Sequence, residues 1–124
     1  MVQFILYVSD QKRSRDFYEK VLRIKPSLDV PGMTEFLLAE NCKLGIIPEK
    51  GIAKILSDKV PHPEKGNGIP RCELYLFVDC VEEYQNRAVV SGAIEVSPVQ
   101  KRDWGDTTGY VSDFDGHIIA FASK

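Results

Sequence analysis

Histidine and cysteine are scarce in this chain, and each scarcity removes a class of chemistry. His62 and His117 are the only imidazoles among 124 residues, and no Ser or Cys stands beside either in a nucleophile motif. The three cysteines, Cys42, Cys72 and Cys80, are an odd set without C-x-x-C spacing. They argue against a zinc cluster and against a disulfide scaffold, and read as free thiols in or beside strands. No apolar run approaches the ~18 residues of a membrane span, and no charged leader precedes an apolar segment. Sixteen Lys and Arg against eighteen Asp and Glu leave a net charge of -2. That balance provides no basic footprint for nucleic acid or an anionic membrane. The expected compartment is the cytoplasm, and no cofactor is expected.

What is present is an ordinary globular repertoire, 44% apolar and 27% charged, so the chain should fold as one domain without covalent staples. Val2 to Val8 (VQFILYV) reads as a strand, and Ser9-Asp10 as turn and cap chemistry. A helix opens at Ser14 or just before it and runs to about Leu22, with Phe17, Tyr18, Val21 and Leu22 on its apolar side. Strands are expected over Ile24–Val30, an edge because of Pro26, then Met33–Ala39 and Cys42–Ile47. Residues 49–71 are rich in Pro and Gly and read as a linker, with a short helix over Ile52–Lys59. Strand character returns over Cys72–Val78. A helix then spans Val81–Ser91, with Val81, Tyr84 and Ala88 inward, Gln85 among the outward residues, and Gly92 at its C-cap. Ile94–Val99 is a strand. Thr108–Ser112 and His117–Ala122 form a hairpin around Asp113-Phe114-Asp115-Gly116.

The order strand, helix, three strands therefore occurs twice, over about 1–48 and 72–124. Phe4-Ile5-Leu6-Tyr7-Val8 and Leu74-Tyr75-Leu76-Phe77-Val78 correspond at a shift of 70. Two βαβββ modules make an α+β chain. A helix covers one face of each sheet, and the other face is free to line a cup.

The segments LYVSDQKRSRDFYEKVL (6–22), ELYLFVD (73–79) and WGDTTGYVSDFDGHIIAFA (104–122) resemble the vicinal oxygen chelate superfamily, which groups glyoxalases, bleomycin resistance proteins and extradiol dioxygenases. The resemblance covers nearly the whole chain. It implies an open, U-shaped barrel of two βαβββ modules, commonly in a homodimer. In metal-dependent relatives the ligands lie on the first and last strands of each module. Those places fall here on Gln3, about Gly45, Glu73 and Ala120. Gln3 and Glu73 have oxygens to give, whereas Gly45 and Ala120 have no side-chain donor, so a metal-free protein is expected.

Strand alternation places Gln3, Ile5 and Tyr7 on one face with Ile47, and Glu73, Tyr75 and Phe77 on another with Ala120. Trp104 is expected at the rim. Phe4, Leu6, Val8, Leu74, Leu76 and Val78 are expected beneath the helices. Tyr7, Tyr75 and Phe77 serve equally as ordinary core, and Glu73 equally as a partner of Arg71 or a linker lysine. The ring-rich faces point to a small aromatic or cationic ligand, sequestered or carried as in the resistance branch. The alternative is a lyase or isomerase of the glyoxalase type, similar to lactoylglutathione lyase. It would use a metal, or Glu73 as a general base whose burial among Tyr75 and Phe77 raises its affinity for protons. A third reading is a structural or regulatory partner without a working cup.

Overall fold

The computed structural model describes all residues from Met1 to Lys124. The elements run β1 (Val2–Val8), α1 (Gln11–Leu22), β2 (Leu28–Val30), β3 (Met33–Ala39), β4 (Cys42–Pro48), α2 (Glu49–Leu56), β5 (Glu73–Phe77), α3 (Val81–Val90), β6 (Ile94–Lys101), β7 (Thr107–Ser112) and β8 (Ile118–Ser123). They divide into two compact units, residues 1–19 with 23–67 and residues 68–124 with 20–22. Each unit carries one four-stranded mixed sheet, and neither sheet closes on itself. The two βαβββ modules read from the repeat are thus both formed.

In the first unit the strand order is β1-β4-β3-β2, with β1 parallel to β4 and the other pairs antiparallel. The register sets Val8, Leu44, Ile46, Phe36 and Thr34 on one buried face. Helix α1 starts at Gln11, and Asp10, in the pair expected to supply turn and cap chemistry, accepts from the Arg13 N–H at 3.0 Å and caps it. This start brings Gln11 over the β2–β3 hairpin. Its amide donates to Val30 O and Thr34 Oγ1, and its carbonyl accepts from Gly32 N. Arg15 adds an ion pair to Asp29 at 3.0 Å. Strand β2 keeps only Leu28–Val30, and ahead of it Ser27 still donates its N–H to Glu35 O at 2.7 Å.

The linker is more ordered than its composition indicates. Helix α2 follows β4 directly and buries Ile52. Two short 3-10 turns follow, Ser57–Lys59 and Pro63–Gly66, the second capped by His62, whose ring nitrogen accepts from Glu64 N. His62 is therefore a capping residue.

In the second unit the order is β5-β8-β7-β6, with β5 parallel to β8. Helix α3 packs on β7, β6 and β8. Its buried stripe is Val81, Gln85 and Ala88, so Gln85, expected to face outward, is 2% exposed. The reason lies in edge strand β6, whose register shifts between Glu95 and Ser97 and again before Gln100. The shift frees the Ser97 carbonyl, and Gln85 donates to it at 2.9 Å and to Glu95 Oε1 at 3.1 Å.

The β7–β8 turn is held by Asp113, whose Oδ1 accepts from Asp115 N and His117 N at 3.0 and 2.8 Å. Gly116 has φ +86, and a Cβ there would lie 2.7 Å from the Cα of Gly68, so this turn requires glycine twice over. Phe4 departs from expectation, being 60% exposed although it shares the face of buried Leu44 and Val8. The cover over that face reaches Val8 and stops short of Phe4.

Candidate functional site

Register identifies the residues on the opposite, helix-free face of each sheet. In the first unit, one row is Ile5–Gly45–Glu35–Leu28 and the next is Gln3–Lys43–Leu37, with Tyr7 and Ile47 paired beyond them. Most of these are apolar and at least half-buried or exposed. Among them lies one polar cluster. Gln3 Nε2 donates to Glu35 Oε2 at 2.6 Å, and Lys43 Nζ sits 3.3 Å from Glu35 Oε1. The Gln3 amide lies over Gly45, where a Cβ would be 2.7 Å from Nε2 and 3.0 Å from Ile5 Cγ1. Glycine at this strand position is what lets the Gln3–Glu35 bond lie flat against the sheet. Glu35 and Lys43 were not singled out from the sequence. A Glu in the middle of MTEFLLA, opposite in parity to Thr34 and Phe36, was the available signal.

In the second unit the corresponding rows are Glu73–Ile118–Ser112, Tyr75–Ala120–Tyr110 and Phe77–Ala122–Thr108. Tyr75 and Tyr110 therefore flank Ala120 on both sides. The Tyr75 hydroxyl donates to Asp106 Oδ2 at 2.8 Å, accepts from Trp104 Nε1 at 3.0 Å, and lies 3.0 Å from Thr108 Oγ1. One donor and two lone pairs are all a phenol has, so this hydroxyl is saturated. Phe77 meets Tyr75 edge to face at 5.5 Å between centroids, and the Lys124 ammonium stands 5.1 Å from the Phe77 centroid. Arg102 lies 5.1 Å from the Tyr110 centroid while donating to Thr108 O, Ser97 Oγ and Pro98 O. Burial pushes the Tyr110 phenol up from its ordinary pKa; the charges of Glu73 and Tyr75 add to this, and Arg102 opposes it.

The sequence reading placed Tyr75, Phe77 and Ala120 together, and the sheet does so. Trp104 is 60% exposed and tethered through its indole N–H. Glu73 is exposed, so the burial invoked for it as a base is missing. Asp106, Thr108 and Tyr110 were overlooked. Asp106 and Thr108 reach Tyr75 only through the β7 register, which composition does not reveal.

The donor set does not fit a divalent metal. In the first unit Gly45 gives no side-chain ligand, and the Gln3 amide is engaged by Glu35. In the second, Ala120 gives none either, and no group of three His, Cys, Asp or Glu side chains anywhere in the chain is placed to hold an ion. Two surface concavities, of about 680 and 660 Å³, are lined by residues around 9–16 with 29–31 and around 53–65. Neither includes a residue of the two helix-free faces, and both are shallow, so the register-defined faces remain the better guide.

Residues 1–124 match the family model described as a glyoxalase-like domain. None of the curated proteins matches. Among solved structures, a glyoxalase-related enzyme from Fulvimarina pelagi is 21% identical with a TM-score of 0.82, over 98% of this chain and 86% of that one. A glyoxalase/bleomycin resistance protein/dioxygenase family enzyme from Burkholderia phytofirmans PsJN is 12% identical with a TM-score of 0.82, over 97% and 94%. A glyoxalase/bleomycin resistance protein/dioxygenase from Nocardioides is 18% identical with a TM-score of 0.75, over 98% and 80%. The whole-length family match, with two βαβββ modules in the expected order, makes this chain a member of the glyoxalase-like family within the vicinal oxygen chelate superfamily.

Proposed function

We propose that the protein binds small planar aromatic compounds on the helix-free face of its second sheet, and acts as a carrier or sequestering protein of the resistance type. The observation that carries this reading is the chain Trp104–Tyr75–Asp106. An exposed indole is unusual on a soluble surface, and this one is held by its N–H against a saturated phenol. Its N–H is engaged, so the ring face is what remains for recognition. Phe77 and Tyr110 extend the same ring-lined face. A platform fixed before the ligand arrives lowers the ordering cost of binding.

Calorimetric titration with a panel of planar aromatics tests this. Saturable binding is expected, weakened several-fold by Tyr75→Phe, which releases the indole. No saturable heat with any member would refute it. The lyase or isomerase reading lacks support of this kind, because neither unit assembles a metal donor set and Glu73 is exposed. A homodimer is also proposed, supported by Met1, Val2 and Phe4, which are 72%, 55% and 60% exposed on and before edge strand β1.

A further inference from the structure

Asp106 is more than nine-tenths buried, yet no Lys or Arg pairs with it. Its side-chain partner is the Tyr75 phenol at 2.8 Å. Arg102, the nearest basic residue in sequence, has its guanidinium committed to Thr108 O, Ser97 Oγ and Pro98 O. A carboxylate in this position is normally matched by a cation or by several donors. The second unit also has nine acidic residues against six basic ones, so its surroundings do not neutralise the charge.

We propose that Asp106 is the specificity-determining residue of the ring-lined face and makes it select organic cations over neutral compounds of the same shape. This rests on the aromatic-binding reading above and names its ligand class. Three features carry it. The carboxylate lies two hydrogen bonds from the Trp104 indole nitrogen, through Tyr75. A chain of donors ending on a carboxylate polarises each member, drawing proton density away from the indole and enriching its π face. An aromatic face attracts cations through its quadrupole, and two rings here already hold one: Lys124 at Phe77 and Arg102 at Tyr110. Trp104, the ring coupled to Asp106, has no such resident cation and is exposed. It is the open position of the set.

The test uses three probes of nearly one shape: N-methylquinolinium, neutral α-methylnaphthalene and the anion α-naphthoate. Affinities are measured by calorimetry at low salt for the whole chain and for Asp106→Asn, whose amide oxygen still accepts from Tyr75. The native protein should bind the cation about tenfold more tightly than the neutral probe, and the anion least. Asp106→Asn should lose the preference, binding the cation no more tightly than the neutral probe. Glu73→Gln, on the exposed edge of the same face, should retain it. Equal binding of cation and neutral probe by the native protein overturns the inference without any variant, and leaves the aromatic-binding reading standing. Loss of the preference in Glu73→Gln but not Asp106→Asn also overturns it. Failure of all three probes to bind removes the aromatic-binding reading itself.

Discussion

Gly45 offers the sharpest test of how the first sheet is built. It lies in the interior of β4, where glycine is less stable than alanine by about 0.5–1 kcal/mol, and its φ is not in the left-handed region. On backbone grounds alone Gly45→Ala should stabilise. The new Cβ, however, would lie 2.7 Å from Gln3 Nε2 and 3.0 Å from Ile5 Cγ1. The far end of Gln3 must move, and with it goes the 2.6 Å bond to Glu35, leaving that carboxylate with Lys43. A hydrogen bond to a charged, partly buried acceptor contributes about 1.5 kcal/mol, and the Ile5 contact adds a few tenths of strain. The single substitution should therefore destabilise by about 1 kcal/mol. In a Gln3→Ala background no bond is left to break, and the same change should stabilise by about 0.5 kcal/mol. Urea unfolding of the four proteins in this double-mutant cycle measures the coupling. An equal effect of Gly45→Ala in both backgrounds would show that the glycine is not there for Gln3.

Gly109 presents the opposite case. A Cβ there would meet Gln85 Cδ and Val99 Cγ2, both at 2.7 Å, and Gln85 is fixed by its bonds to Ser97 and Glu95, so Gly109→Ala should cost about 2 kcal/mol in urea unfolding. A neutral result would mean that Gln85 is not locked. Tyr110 predicts a pH dependence. Its folded pKa is raised above the ordinary value of 10.0, so the unfolded chain loses the proton first; its contribution to stability is complete below pH 10.0 and is lost as pH rises through the folded pKa. Native protein should lose stability faster than Tyr110→Phe in alkaline urea titrations, and equal losses in the two proteins would refute the raised pKa.

Much of this was legible in the sequence because it depends on local chemistry. The strands show as β-branched and aromatic alternation, the final turn as Asp-x-Asp-Gly, and the module order as a repeat at a shift of 70. What escaped depends on neighbours that are distant in the chain. Gln85 looks like surface because it is polar. Only the spacing of Val81, Gln85 and Ala88 at i, i+4 and i+7 marks it as inward, and only the β6 bulge explains why an amide is needed there. Phe4 looks like core because alternation fixes a side chain's face without revealing how far a helix covers that face. Asp106 sits ahead of β7 with no periodic signal, and its meaning appears when β7 and β8 bring Tyr75 to it.

The central rows of the two sheets show how the repeated plan diverged. Ile5–Gly45–Glu35 and Tyr75–Ala120–Tyr110 occupy equivalent register, with a small residue in the middle of each. The first unit uses the room above its glycine for the Gln3–Glu35 bond, and the second sets a tyrosine on either side of its alanine. Installing a carboxylate at either small residue would therefore not restore a ligand set. At Gly45 it would collide with the amide it needs as a co-ligand. At Ala120 it would enter a buried position between two rings, and Arg102, the cation over Tyr110, is already committed to Thr108 O, Ser97 Oγ and Pro98 O. In each unit the residues around the small one have taken up a different arrangement. Adding metal donors there would first require removing Glu35 in one unit and a tyrosine in the other.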